Sequence, residues 1–275
     1  MPKSTSQDVS SAPGVQPSLA IRLMNGFGHI SSHVLAFVAL ILVWQIASLS
    51  FVDQNIVPSP REVFHALFFG IPTRDLLQDI GSSLRRVLVG LTAAIVFGVV
   101  LGLILGPLKR VGDFISAVLE YLRPIPPIAW IPIAILWFGI GEMSAYFIIF
   151  LAAFFPIFTN TFVGARSVSP VHRTVAHSLS VGKRLFILDV LLPTALPQIV
   201  TGVRIGAGFA WMAVIASEMV AAQSGLGYMI QLNRLLLMSD KVVAGMVVIG
   251  VIGYLMNRLT LMLGDMLTPW RQKDS

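Results

Sequence analysis

The residues able to do chemistry are few and mostly cationic. Between Val163 and Pro197 a polar, basic stretch carries Arg166, His172, Arg173, His177, Lys183, Arg184 and Asp189, flanked by long apolar runs. Two further guanidiniums, Arg123 and Arg204, fall inside apolar segments, where a charge is costly unless paired, hydrated or drawn out to the interface. Arg204 lies about 16 Å along a helix from Pro193, and its possible jobs are holding a helix bend, pairing with Glu218 or Glu142, or meeting an anion. For Arg123 the alternatives are snorkelling, structural pairing, or lining an anion path. Basic groups outside a bilayer suit a protein partner.

Other chemistry is excluded by what the chain lacks. There is no cysteine, which removes disulfides and thiolate catalysis, and its carboxylates and histidines form no recognisable metal-ligand spacing. The sequence has no phosphate-binding GxxxxGK[ST] loop, no nucleophile elbow and no HExxH. The chain is therefore expected not to be an enzyme and to bind no cofactor itself; ATP hydrolysis, if transport uses it, must be supplied by another chain.

Composition states the class. Charged residues are 12% of the chain, apolar residues 56% and mean hydropathy is +0.83, against roughly 25% charge in a soluble domain. This is an integral membrane protein. The net charge of +6 brackets apolar segments, the pattern that meets lipid headgroups and sets topology rather than binding nucleic acid.

The elements that must position these residues form an all-α transmembrane bundle. Residues 1–32 read as a flexible tail, Met1 to Ala20, followed by a short interfacial helix, Ile21 to Ser32; residues 33–265 form the membrane domain and 266–275 a second tail. Six spans are expected: Val34 to Val52, Leu84 to Gly106, Phe114 to Phe138, Met143 to Val163, a fifth opened by Pro193 and Pro197 and running to about Met219, and Val242 to Leu263. Asp53 to Ser83 reads as surface helices, with Pro60 at the first position of one and Ser59 as its cap. In the second span Gly98, Gly102 and Gly106 recur every fourth residue, with Gly90 two turns upstream, a smooth strip for a close helix neighbour. The third holds Pro124, Pro126, Pro127 and Pro132 and cannot be one straight helix. Its irregular backbone must face protein or a watery cavity, and Trp130 is a packing or gate side chain. Pro156 and Asn160 suggest a bend in the fourth span, and Ala221 to Asp240 has room for a surface helix.

Six spans put both termini on one side. Lys3, Arg22, Lys109, Arg110, Arg166, Arg173, Lys183, Arg184, Arg271 and Lys273 share the side of the central loop; Arg61, Arg74, Arg85, Arg86, Arg234 and Lys241 lie opposite. The excess favours a cytoplasmic central loop. Within that loop Ser169 can cap a helix beginning at Pro170, with Val171, Val175, Leu179 and Phe186 at near-helical spacing. Such a helix could transmit a partner's movement into the bundle or simply lie at the interface.

Taken together, RPIPPIAWIPIAILWFGIG from Arg123 to Gly141, the loop ending in LLPTALPQIVTGVRIGAGFAW, and Ser217-Glu218-Met219 resemble the membrane permeases of ATP-driven nitrate, bicarbonate, sulfonate and taurine importers, over about residues 34 to 265. The family's cytoplasmic motif begins Glu-Ala-Ala, continues with Gly and ends Leu-Pro. Here those positions read Thr174-Val175-Ala176, Ser180 and Leu192-Pro193, so a charged contact or cap is lost and a serine stands where the permissive glycine belongs. The resemblance implies a six-span type I ABC importer permease bundle with a cytoplasmic coupling helix, in the bacterial inner membrane. It also implies a second permease copy as a homodimer, two ATP-binding subunits carrying ATP and Mg2+, and an external solute-binding protein. Pro170, His172, Arg173, Thr174, Val175, Ala176, His177, Ser180, Gly182, Lys183 and Arg184 would meet the ATPase. Arg123, Pro126, Pro127, Trp130, Arg204, Trp211 and Glu218 are candidate path or gate residues. Related importers of neutral heteroaromatic nutrients share the pattern, and a standalone secondary transporter or channel is the reading from another class.

Overall fold

The computed structural model describes residues 35, 36, 38–50 and 57–269, without the side chains of Arg173 and His177. The expected tail and interfacial helix of residues 1–32 and the last six residues lie outside that range. Residues 1–60 and 61–275 are two packing units. In the first, helix α1 (Val38–Ser50) is apolar, and Trp44 Nε1 donates to the Pro58 carbonyl at 3.1 Å.

The second unit holds the bundle. Its helices are α2 (Pro60–His65), α3 (Thr73–Leu105), α4 (Lys109–Leu122), α5 (Ile131–Phe138), α6 (Glu142–Arg166), α7 (Pro170–Ser178), α8 (Lys183–Phe186), α9 (Leu192–Ala221), α10 (Leu226–Leu235) and α11 (Ser239–Leu267). As expected, Pro60 opens α2, where its missing N–H has no intrahelical partner to lose. Among the described residues four helices are long and apolar enough to cross a membrane, or five if the bent pair of α4 and Pro127–Phe138 is one span. The described part of the expected first span, α1, is shorter than a crossing helix. The described residues thus form a multi-span all-α membrane bundle with four or five apolar spans.

Two boundaries differ from expectation, and both have local causes. The second span is one 33-residue helix from Thr73, about 50 Å at 1.5 Å per residue, because the polar residues before Leu84 also satisfy their backbone by winding helically. The fifth begins at Lys183 and runs unbroken to Ala221. Pro193 does not open it: the turn before it, Ile187–Leu191, widens to π geometry, with the Leu192 N–H reaching the Ile187 carbonyl. That widening accommodates a proline that offers no donor and would crowd the carbonyl four residues back. The third segment does break as its prolines require, with an 87° bend.

The glycine strip explains the core. A Cβ on Gly90, Gly98, Gly102 or Gly106 would lie 2.6, 2.8, 2.6 or 2.5 Å from Ile149 Cγ2, Ile157 Cγ2, Thr161 Cβ or Ala165 Cβ. The register advances in step on both helices, so α3 and α6 run parallel with their backbones nearly touching. Gly202 and Gly206 of α9 also press on α6, at Pro156, Ile157 and Ala153 in antiparallel order, so that Ile157 packs against glycines of both α3 and α9. Helix α6 is therefore the bundle's axis, buried along most of its length. Within it Asn160 Nδ2 donates to the Pro156 carbonyl at 2.8 Å, spending the amide inside its own helix. Helix α11 returns antiparallel to α9, with Gly253 against Trp211 and Gly264 against Val200.

Replacing Gly102 with valine should therefore destabilise the bundle by about 1–3 kcal/mol, read as a fall in thermal or denaturant midpoint in detergent. Thr161, fully buried with its hydroxyl unpartnered, should tolerate valine without loss by the same measurement, because no hydrogen bond disappears.

Candidate functional site

Functional side chains gather at the two ends of the bundle. At the end where α3 and α6 begin and α9 finishes, the strip of small residues on α3 continues backwards to Arg86, four residues before Gly90. A guanidinium there faces the packing partner instead of solvent: Arg86 is 2% exposed. All its donors are spoken for. Nη1 reaches Glu218 Oε1 at 2.7 Å and the Ser224 carbonyl at 2.7 Å. Nη2 reaches Glu142 Oε1 at 2.6 Å and Ser224 Oγ at 2.9 Å, and Nε reaches Glu142 Oε2 at 3.2 Å.

The carboxylates are shared with the next element. Glu218, 1% exposed, accepts from Ser83 Oγ at 2.9 Å and from the Gly227 N–H at 2.9 Å. Ser83 Oγ accepts from the Leu226 N–H at 3.0 Å, and Asp79 Oδ1 accepts from the Gly225 N–H at 2.7 Å. Oxygens on α3 and α9 thus occupy the positive N-terminal end of α10. Gly225 makes this approach possible: its φ is +108°, and a Cβ there would sit 2.4 Å from the Glu218 carboxyl. The network ties α3, α6, α9 and α10 together, with Arg85 adding an outer pair to Glu142 at 3.1 Å.

Arg86, counted with the surface charges, is instead the buried centre of the network, and the strip spacing that extends from Gly90 to Arg86 is the signal that could have found it. Of the three jobs open to Arg204, pairing with Glu142 or Glu218 is set aside, because both carboxylates pair with Arg86. Arg204 is exposed on α9, and the ion pairs among the described residues do not include it. It shares its face with exposed Ile205, Phe209 and Met212.

The other candidate path residues fall in different surroundings. Trp211 is buried, donating from Nε1 to the Ile249 carbonyl of α11 at 3.2 Å. Glu218 belongs to the network. Arg123 is exposed at the end of α4, next to exposed Pro126 and half-buried Pro127 and Trp130 in the 87° break. Trp130 packs beside Ile131, Ala134, Ile148 and Ala152. Arg204 and Glu218, about 21 Å apart along α9 by the helical rise, are therefore not assembled into one site within a single chain.

At the opposite end lies the basic segment. Ser169 caps α7 as expected, its Oγ accepting from the Val171 N–H at 3.3 Å. Pro170, His172, Thr174 and Val175 are exposed and Ala176 is buried; the side chains of Arg173 and His177 lie outside the described residues. Helix α7 ends with the Val181 N–H reaching the Ala176 carbonyl at 2.9 Å, a closure that needs a left-handed residue before Val181. That residue is Ser180, at φ +51°, the position where the resembled motif carries glycine. Gly182, Lys183 and Arg184 are exposed, and the two cations form the first turn of the helix that becomes α9. Arg166, the last residue of α6, pairs through Nη1 with Asp113 at 2.6 Å and through Nε with the Gly106 carbonyl at 3.1 Å. Among the described residues no group of three or more His, Asp or Glu side chains could hold a metal ion.

Truncating Arg86 to alanine leaves Glu218 buried without its cation and should destabilise the fold by about 3–5 kcal/mol, measured as loss of monodisperse protein and a lowered melting point. Ser180→Gly should raise stability by about 1 kcal/mol by relieving the left-handed serine; an unchanged or lower midpoint would contradict the strain.

Residues 94–273 match the family described as binding-protein-dependent transport system inner membrane component. The taurine transport system permease protein TauC of Escherichia coli is 36% identical over 238 residues, covering 85% of this chain and 86% of that protein. The nitrate import permease protein NrtB of Synechocystis is 35% identical over 247 residues, covering 86% and 89%. The putative aliphatic sulfonates transport permease protein SsuC of Bacillus subtilis is 32% identical over 272 residues, covering 98% and 95%. An inward-facing structure of the MetNI methionine ABC transporter superposes with a TM-score of 0.56 at 19% identity, covering 69% of this chain and 96% of that one, a likeness of fold. A multi-span bundle without the motifs of catalysis, matched along most of its length to transport permeases, belongs to the binding-protein-dependent transport system inner membrane component family, the permeases of ABC transporters.

Proposed function

We propose that this chain is the permease of an ATP-driven importer that carries a small oxyanion, nitrate, bicarbonate or a sulfonate such as taurine, by alternating access. The observation that carries the reading is its similarity, over more than four-fifths of its length, to permeases named for taurine and nitrate. The permease named for aliphatic sulfonates agrees. These substrates share an oxyanion, which a guanidinium can recognise with two parallel hydrogen bonds.

In this reading residues 33–265 form a six-span domain that includes the segment around α1. Both ends of the chain, residues 1–32 and 266–275, are cytoplasmic, and the membrane is the bacterial inner membrane. The burial of Arg86 supports this orientation, since it removes one cation from the external count. Two copies pair as a homodimer. The exposed stripe of α9 with Arg204, Ile205, Phe209 and Met212 faces the path between them, and Arg123, Pro126, Pro127 and Trp130 form the break beside it. Charge at Arg204 then meets the anion instead of lipid. Trp211 and Glu218 shape the path by holding α9 against α11 and α3.

The segment from Pro170 to Arg184 of each copy docks on one of two cytoplasmic ATP-binding subunits, where ATP and Mg2+ reside, and an external solute-binding protein delivers the substrate. Exposure of Pro170, His172, Thr174, Val175, Ser180, Gly182, Lys183 and Arg184 supports this role. Because Lys183 and Arg184 head the continuous helix into α9, displacement of the segment moves the stripe carrying Arg204. The transition is a switch between two packed states.

The deciding experiment reconstitutes the chain with the ATPase and binding protein encoded beside its gene, and measures ATP-dependent accumulation of nitrate, bicarbonate, taurine and alkyl sulfonates. Accumulation of one of them with stimulated ATP hydrolysis is expected. Uptake by this chain alone, driven only by an ion gradient, would overturn the importer; stimulation by a neutral nutrient alone would overturn the anion. Arg204→Gln should lower anion uptake about tenfold or more, the loss of one charge-assisted pairing of about 1.5–3 kcal/mol. Charge reversal at Lys183 and Arg184 should impair ATPase binding or coupled turnover more than membrane insertion, compared by copurification and uptake.

A further inference from the structure

Helix α4 presents an unusual mechanical problem. It leads directly into the proline break that carries Arg123, yet of its fourteen residues only Gly112 is buried. Its hold on the bundle is concentrated at its first turn. There a Cβ on Gly112 would meet the Leu105 carbonyl at 2.3 Å, Phe162 Cε2 at 3.1 Å and Arg166 Nη2 at 3.2 Å. Arg166 completes the junction from the other side, its guanidinium stacked 4.2 Å over the Phe162 ring, paired with Asp113 of α4 and bonded to the carbonyl that ends α3.

Arg166 is also where α6 stops and the basic segment starts. Beyond it Val168 packs with Ala165 and Leu191, and α7 begins at Pro170. Between the starts of α4 and α7 a cleft of about 660 Å³ opens, bordered by Lys109, Asp113, Pro170 and Thr174, with Arg166 in its wall. Rooted at the end of α6, four residues before α7 begins, the guanidinium reaches Asp113 of α4 along the wall of this cleft. Arg166 and Asp113 are partly exposed, and an ion pair in such surroundings contributes little to stability. Three directed contacts on a planar group are instead well suited to fixing relative orientation.

We propose that Arg166 is a positioning residue for coupled transport, joining the root of α7 to α4 so that displacement of the basic segment is carried to the Arg123 break as well as to α9. This rests on the importer reading. It adds a second route of transmission, through α4, to the direct one through the continuous helix from Lys183.

The absence of native cysteine permits a direct test. Spin labels at Tyr121→Cys and Leu179→Cys, both exposed positions, report the distance between the far ends of α4 and α7 in nanodiscs without any partner. A narrow distribution is expected, broadening in Arg166→Ala and Asp113→Asn and broadening less in Arg166→Lys, which keeps charge but loses the planar contacts. In the reconstituted complex Arg166→Ala should lower substrate accumulated per ATP hydrolysed by about fivefold or more, with ATPase copurification unchanged. An unaltered distance distribution in Arg166→Ala would overturn the link. An unaltered ratio of transport to hydrolysis in variants that assemble would overturn its part in coupling. Failure of the wild-type complex to transport counts against the importer reading instead, and the partner-free distance measurement still decides whether Arg166 joins the two helices.

Discussion

A guanidinium shut away from solvent must have its donors met by the protein, and at Arg86 that requirement binds four helices into one end of the bundle. Its contacts to Glu142, Glu218 and Ser224 set where α6 starts, where α9 stops and how the chain turns into α10. Glu218 gains a second use by receiving the Gly227 N–H, while Asp79 of α3 receives that of Gly225, so charge pairing and helix termination are solved together. Replacing such a cluster with apolar residues can be nearly neutral for stability, whereas deleting one partner is not. What the cluster supplies is a particular geometry at the α9–α10 corner.

The middle of the bundle relies on a different force. Lipid chains are as apolar as leucine, so hydrophobic burial alone does not draw helices together in a bilayer; close backbone contact and dispersion do. The strip from Gly90 to Gly106 and the pair Gly202 and Gly206 bring α3 and α9 against α6 at distances that leave no room for a Cβ on those glycines. Helix α6 then serves as a stiff axis joining the Arg86 network at one end to Arg166 at the other. Its parts differ in character: tightly packed glycine seams along the shaft, ionic junctions at both ends. In the proposed transport cycle the seams keep the shaft rigid while the end facing the ATPase receives the movement.

Departures from the resembled motif acquire a physical reading from the backbone. Ser180 keeps the left-handed turn that ends α7 although its side chain opposes that conformation, so the shape of the segment survives the sequence change. Leu192-Pro193 is retained inside a continuous helix, where the π turn before it absorbs the missing hydrogen bond. The loss of the motif glutamate at Thr174 is met locally by its hydroxyl, which donates to the Pro170 carbonyl at 3.0 Å.

Much of this protein could be read from residue types and spacing alone. Apolar length and scarce charge dictated a membrane bundle, because lipid offers no partners for an open backbone. Glycines at every fourth position announced a close helix neighbour, prolines from Pro124 to Pro132 demanded a broken segment, and Ser169-Pro170 marked the start of α7; each is a local rule of sterics or hydrogen bonding. The order of these features along the chain was enough to recognise the permease pattern. What only the tertiary structure decided was partnership between distant residues. Glu142 and Glu218 looked available to Arg204, since sequence conveys charge and approximate depth but not the azimuth of one helix against another. Once the glycine strip sets that azimuth, Arg86 is turned inward and takes both carboxylates, and Arg204 is left on the outer face of α9. The role of Arg166 was hidden for the same reason: its partners Asp113 and Gly106 lie more than fifty residues away along the chain and meet it only because α3 and α6 run parallel and end together.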